Sequence, residues 1–226
     1  AAGEVREKAI RVAAHVFGVD EQDIEITDGL ARVKDDPANS LTFKEIAKAL
    51  GAAKGLAIPK DMPIGFEATV NFRPPDVTYC NASHVVEVEV SAETGGVEIL
   101  RYVVVNDSGV LINPTLVEGQ LQGGSAQGIG WALNEEYFMS DGGRLLNKPF
   151  LDYRMPTSLD LPMIDTVIVE VANPGHPYGV KGVGEVPIVP PMAAISNAIH
   201  QAIGLRMPSL PMSPGKILEA LWENGK

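Results

Sequence analysis

Hydrophobic positions near the start of the chain recur at helical spacing. Val5, Ala9, Val12 and Val16 share one side of residues 4–17, with Glu, Arg and Lys between them, which predicts an amphipathic helix. DIEITDG reads as a short strand and turn. In LTFKEIAKAL, Thr42 stands three residues before Glu45, the spacing of a capping box that opens a second short helix. GLAIPKDMPIG (55–65) and FRPPDVTYCNAS (72–83) read as loops, the second because paired prolines stop a regular ladder. VVEVEV (85–90) alternates with period two, ETGG turns and VEILRYVVVND returns, predicting a β-hairpin over 85–107. Asn113-Pro114 places a capping side chain before a proline at the first helical position, and the helix LVEGQLQGGSAQGIGWAL follows.

DGGRLLN reads as a turn and TVIVEVAN (166–173) as a strand. PPMAAISNAIHQAIG reads as an amphipathic helix with Met192, Ile195, Ile199 and Ile203 on one side, and Ser213-Pro214 as the cap of a last helix, GKILEALW. Strands and helices mix without βαβ alternation, so the expected class is α+β, mixed sheets with packed helices. The expected organisation is one region over 1–226, with a subdivision at 1–65 and 66–226.

Composition narrows the functional classes. The chain has 226 residues, 45% hydrophobic and 21% charged, with a net charge of −11. That balance reads as globular, and the absence of a basic cluster argues against a nucleic-acid partner. No apolar run reaches the ~20 residues of a membrane helix. Cys80 is the single cysteine, so the chain alone cannot build an internal disulfide, a Cys-rich zinc site or an iron–sulfur cluster. It reads as a small, semi-buried side chain. With no signal-like start, this points to the cytoplasm. The opening AAGEVREKA lacks Met, as after removal of an initiator or in a piece of something longer.

Two stretches do not read as plain scaffold. Gln120, Gly123, Gly124, Gln127, Gly128 and Trp131 recur three or four apart and share a helix face. Interior glycines cost about 0.5–1 kcal/mol each relative to alanine, so something approaches this backbone closely. The approaching body is either another element of the fold or a ligand held by the glutamine amides. The second stretch is GVKGVGEVPIVPP (179–191). Its glycines run G-x-x-G-x-G, the reverse of the dinucleotide fingerprint, and no P-loop Lys-Ser/Thr follows. Bare backbone at Gly182 and Gly184 leaves N–H groups free to meet an anion. Glu185 is either a solvated turn residue or, against a close apolar wall at PIVPP, a desolvated base.

The four histidines read as scaffold or surface: His84 as a strand-end side chain, His176 as loop surface or a pocket lining, His15 and His200 as helix-face residues. The pairs Asp35-Asp36 and Glu135-Glu136 read as solvated. No His and carboxylate set has metal-ligand spacing, and no G-x-S-x-G or Cys–His arrangement occurs.

Together, VNDSGVLINPTLVEGQLQGGSAQGIGWALNEE and GVKGVGEVPIVPPMAAISNAI resemble the C-terminal part of the molybdenum-binding subunit of the xanthine dehydrogenase, aldehyde oxidase and carbon monoxide dehydrogenase family. The initial helix, DIEITDG, HVVEVEVSAETGGVEILRYVVV and MSPGKILEAL fit the same register. The resemblance implies a molybdenum-dependent oxidoreductase that oxidises an aldehyde, an N-heterocycle or a similar small substrate. A molybdenum-bound oxygen attacks an electron-poor carbon while hydride passes to a sulfido ligand. It makes Glu185 the base that deprotonates that oxygen. Gln120 becomes a hydrogen-bond partner of molybdopterin near the metal, and Gly184, Lys181 and Gln127 become residues of the cofactor pocket. Asp107 and Asn113 fall to a structural loop leading into it. No protein side chain is implied as a metal ligand.

The family's molybdenum subunit is far longer, so this chain is expected to hold half a site, either as one product of a split subunit or as an excised domain. The implied cofactor is molybdopterin, commonly the cytosine dinucleotide form in bacteria. FAD and iron–sulfur clusters are assigned to partner chains, so the expected partners are the other half of the molybdenum subunit, an iron–sulfur subunit and a flavin subunit. The competing reading is a non-catalytic docking or assembly module of the same fold. A nucleotide-binding protein would need a strand–GxGxxG–helix unit that the sequence lacks.

Overall fold

The structure is a computed structural model that describes residues 1–51 and 58–225. The first part of the loop expected at 55–65 lies outside the described residues. The chain divides into two compact units, Ala1–Arg73 and Pro74–Lys226.

The first unit begins with α1 (Ala2–Phe17), which buries Ala9, Val12, Ala13 and Ala14, the stripe that its periodicity predicts. An antiparallel meander follows, β1 (Ile24–Thr27), β2 (Leu30–Val33) and β3 (Asp36–Thr42), in the order β1-β2-β3. The β1–β2 turn is Asp28-Gly29, with φ of 51° and 76°. Two consecutive positive φ values make the hairpin turn that twists with its strands. Sequence reading found β1 and this turn but not β2 and β3, whose short runs carry mixed polarity. α2 (Phe43–Leu50) opens with the expected capping box: Thr42 Oγ1 accepts from Glu45 N at 3.2 Å and Glu45 Oε2 accepts from Thr42 N at 2.8 Å. Ile24, Ala31, Leu41, Ile46 and Leu50 close this core over α1.

The second unit carries β4 (Asn81–Val90), β5 (Val97–Asp107), α3 (Pro114–Leu133), β6 (Ile164–Val169), α4 (Pro190–Ile203) and α5 (Pro214–Glu223). β4 and β5 form an antiparallel hairpin, and β6 joins β5 in parallel. The hairpin starts earlier than its alternation predicts. Asn81 already pairs with Asp107, because β5 is long enough to offer partners to polar residues once the prolines are passed. The last strand runs 164–169 rather than 166–173. Beyond it, Val171 N donates to the Asp107 side chain at 3.2 Å, and Pro174 has no N–H to give a ladder.

Tyr102 and Val104 of β5 face a core built with Leu121 and Ile129 of α3, Ile195 and Ile199 of α4, and Ile217 and Leu221 of α5. Met192 and Ile203 pack against it, as the expected apolar side of α4 requires. Ser213 occupies the N-cap position of α5 but makes no capping hydrogen bond with its side chain. Glu135 and Glu136 lie beyond the end of α3 and are not simply solvated. Tyr153 donates to Glu135 at 2.6 Å, and Lys216 Nζ sits 3.3 Å from Glu136. The Glu135 carboxylate holds the Tyr153 hydroxyl up at about 12. Cys80 is half-buried. Among the described residues, no helix is long and apolar enough to cross a membrane.

His84 is an interior residue of β4, not a strand-end side chain. Its Nδ1 lies 2.8 Å from the Tyr102 hydroxyl, and its Nε2 is buried without a hydrogen-bond partner. Burial pushes His84 down from 6.5 to about 4 and pushes Tyr102 up. A folded-state value below the unfolded one fixes the sign. Above pH 6.5 neither state is charged. Below it the unfolded chain takes up a proton that the fold refuses, until the folded value is passed. We therefore expect urea unfolding to show a loss on the order of 2 kcal/mol between about pH 7 and about pH 4. The His84→Gln variant should flatten that loss; an equal loss in the variant would rule out His84 as its source.

Candidate functional site

α3 is started by Asn113, whose side chain accepts from Leu116 N at 3.1 Å, with Pro114 in the first turn. The helix then presents two rows of small or amide residues. Gly124 and Gly128 form a packed row. A methyl group on Gly124 would lie 2.6 Å from Pro187 Cγ, and one on Gly128 would lie 2.6 Å from Pro191 Cγ and 2.9 Å from Ile188 O. Here the approaching body is the chain itself: the one-turn 3-10 segment Val186–Ile188 and the start of α4 lie in this notch. Gln120, Gly123, Gln127 and Trp131 form the second row, which is exposed. Nothing lies within 4 Å of the space a Cβ would take at Gly119 or Gly123.

The 179–188 loop carries Glu185 and is held at both ends. At its start, Gly109 and Val180 form a short antiparallel bridge. Val110 N donates to Gly179 O and Lys181 N to Ser108 O, both at 2.9 Å. Gly109 has φ +67° and its α-carbon faces Gly179 O so closely that a side chain would collide. At the other end, Pro187 is buried against Gly124. Between these anchors Gly182 and Gly184 have open space where a Cβ would stand, and both are exposed with Glu185. The apolar residues after Glu185 therefore do not shield it, and of the two alternatives the exposed turn residue describes Glu185 in this chain. Pro187 and Pro191 turn onto the α3 notch instead.

Lys181 and Asp107 form the buried electrostatic feature of this region. Lys181 Nζ lies 2.6 Å from Asp107 Oδ2, with both side chains 12% exposed. Asp107 also accepts from Gly109 N at 3.0 Å and from Val171 N. Burial raises the Asp107 carboxyl, but the hydrogen bonds from Lys181, Gly109 and Val171 outweigh it and hold the group below the usual carboxylate range. A cleft of about 470 Å³ adjoins the pair, lined by Pro75, Val77, Tyr79, Ala172, Asn173 and Lys181 among others. His176 lies in the loop beside it, its Nδ1 accepting from Tyr178 N at 3.2 Å.

The fold thus brings the two sequence motifs together. Gln120 stands one helical turn before Gly124, and Glu185 stands two residues before the proline that touches Gly124. Gln127 lies on the exposed row. Lys181 does not project a free charge, because its ammonium is engaged by Asp107. Sequence reading placed these two residues separately and missed their pairing. The available signal was that each is the one ionised side chain in an otherwise uncharged run, VVVND and GVKGVG.

Residues 1–162 match the molybdopterin cofactor-binding domain family, and the chain belongs to that family. It is 35% identical over 220 residues to the 6-hydroxypseudooxynicotine dehydrogenase complex subunit gamma of Paenarthrobacter nicotinovorans, covering 96% of this chain and 27% of that one. It is 33% identical over 202 residues to the carbon monoxide dehydrogenase large chain of Afipia carboxidovorans, covering 89% and 24%. Its fold superposes on quinoline 2-oxidoreductase from Pseudomonas putida 86 with a TM-score of 0.84 and 34% identity, over 98% of this chain and 28% of that one. The chain therefore spans about a quarter of the length of these relatives. The family match ends before the Glu185 loop, whereas the superposition covers nearly the whole chain.

The two glycine rows differ in a measurable way. Gly124→Ala or Gly128→Ala should destabilise the chain by about 1–3 kcal/mol through overpacking against proline. Gly123→Ala should stabilise it by about 0.5–1 kcal/mol through helix propensity. Thermal melts of the three variants decide this; equal effects in both rows would show that the notch is not tightly packed.

Proposed function

We propose that this chain supplies one wall of the active site of a molybdenum hydroxylase, with Glu185 as its base. The observation that carries the reading is the exposed glycine set. A Cβ at Gly119, Gly123, Gly182 or Gly184 would meet nothing within 4 Å, and no positive φ requires glycine at any of them; Gly3 and Gly215 share both properties but stand in the first turns of α1 and α5, outside the two motifs. Interior helical glycines lower stability without a compensating contact here. A flat cofactor passing over this backbone supplies the reason. The donors around it suit a pterin: the Gln120 and Gln127 side chains carry both amide donors and acceptors, and the bare N–H groups near Gly184 suit anionic oxygens.

When bound, the molybdenum cofactor accepts the two electrons of the oxidation and activates water as the oxygen source. The chain's own residues do the remaining work. Gln120 and Gln127 orient the cofactor through hydrogen bonds. Gly184 lets it pass close to the loop, and Lys181 lines the same pocket through its backbone and stem. A Glu185 carboxylate oxygen takes the proton that the attacking oxygen must lose. The substrate is a small aldehyde, N-heterocycle or similar molecule with an electron-poor carbon. The cofactor is molybdopterin carrying the molybdenum. The complex is completed by the remaining portion of the molybdenum subunit, an iron–sulfur chain and an FAD-binding chain, which carry the electrons onward.

In the assembled complex, Glu185→Gln should lower turnover by roughly 10²–10⁴-fold while molybdenum content stays unchanged. A near-normal rate overturns the assignment. Gly184→Ala provides a readout independent of turnover. The melting temperature of this chain should be unchanged, because the methyl group meets open space, while molybdenum content of the complex falls.

A further inference from the structure

The 181–185 segment is held by charge at one end and by packing at the other. Among the described residues, Gly182, Val183 and Gly184 make no backbone hydrogen bond; the next such bond after Lys181 is Ile188 N to Glu185 O. Val183 packs against the core and Lys181 N is held by Ser108 O at 2.9 Å, so the side-chain part of the placement of Glu185 comes from what engages the Lys181 ammonium, four residues earlier. That is Asp107, whose two carboxylate oxygens gather three segments: its own turn through Gly109, the chain just beyond β6 through Val171, and the Glu185 loop through Lys181. Asn173 adds a neutral tie, donating from Nδ2 to Val180 O at 3.2 Å. Both charges of the pair are largely withdrawn from solvent. Removing either one leaves the other buried without its partner, the costly way to break such a pair.

We propose that Asp107 and Lys181 are positioning residues for Glu185. Their ion pair fixes the Lys181 end of the glycine loop, as Pro187 fixes the other end, and the Lys181 ammonium acts through Asp107 rather than on the cofactor. This rests on the reading of Glu185 as the base. A displacement of the loop by about 1 Å is enough to lower a rate on the order of 10²-fold.

The test is a double-mutant cycle in the assembled, molybdenum-loaded complex, with Lys181→Met, Asp107→Asn and the double variant. Molybdenum content, kcat, KM and the pH–rate profile are read for each. Both single variants should lose roughly 10–100-fold in kcat, with molybdenum content kept and KM within about twofold. The double variant should be no worse than either single one, because both remove the same interaction. The acid limb of the pH–rate profile should move in all three, as it must if the surroundings of the base change; loss of stability alone would lower the amount of active complex without moving that limb. Lys181→Arg, which keeps the charge, should recover most of the rate and serves as the folded comparison if Lys181→Met does not assemble. Its failure to recover the rate while the complex assembles and keeps molybdenum would overturn the proposal. So would Lys181→Met losing molybdenum while Asp107→Asn keeps both molybdenum and rate, since Lys181 would then act on the cofactor directly. Glu185→Gln is run beside them. If that variant turns over normally, the reading of the base fails, and this is distinct from a dead Glu185→Gln with an active Lys181→Met, which sinks the positioning role alone.

Discussion

The contact on which this site depends is the approach of Pro187 and Pro191 to bare helix backbone at Gly124 and Gly128. Proline has a fixed φ and a rigid ring, and glycine offers no side chain to yield. With 2.6 Å between a proline ring carbon and the place a methyl group would take, neither partner can adjust. The approach decides how far the 179–188 loop stands from α3, and so ties the exposed face of α3 to the segment that carries Glu185. Interiors packed at crystal-like density transmit such a constraint without slack.

That contact also divides the glycines by purpose. Those of the packed row are explained inside the chain, by the body that fills the space above them. Gly119, Gly123, Gly182 and Gly184 have no such explanation inside it. On the reading proposed above, the four open glycines of the two motifs, beside two exposed glutamines and an exposed glutamate, are where a body outside this chain passes. The Asp107–Lys181 pair belongs with the packed row in this respect. It uses charge within the chain to hold the loop, which leaves the loop's outer backbone bare.

Periodicity made α1, α4 and the cleanly alternating β4–β5 hairpin legible. Local chemistry did as well: the Thr42–Glu45 capping box and the Asn113-Pro114 start are short-range, and both form as their spacing requires. What escaped the sequence is set by long-range pairing. The length of β4 depends on β5, β2 and β3 are too short and mixed to stand out, and the interior place of His84 follows from Tyr102 lying across the ladder. The helix stripe is instructive, since spacing alone put Gly123 and Gly124 on one face. The structure separates them, because neighbouring residues on a helix differ by about 100°, enough for one to meet proline and the other to stay open. Lys181 and Asp107 are 74 residues apart, so each stands out locally as a lone charge while nothing local joins the two.

The exposure of Glu185 bears on how the work of such a site is shared. A carboxylate is made into an effective base by desolvation and by the charges near it, and Glu185 is exposed in this chain. The chain supplies the placement: a loop short of side chains, clamped at Lys181 and wedged at Pro187, with the carboxylate at its crest. Covering must come from whatever closes over the glycines. Rigid placement and adjustable burial are separable tasks. The residues that fix placement lie within the fold's own core and ion pairs, whereas the chain itself leaves Glu185 uncovered. On the proposed reading of Glu185 as the base, this chain contributes rigid placement, and covering the carboxylate is left to whatever lies over the glycine loop.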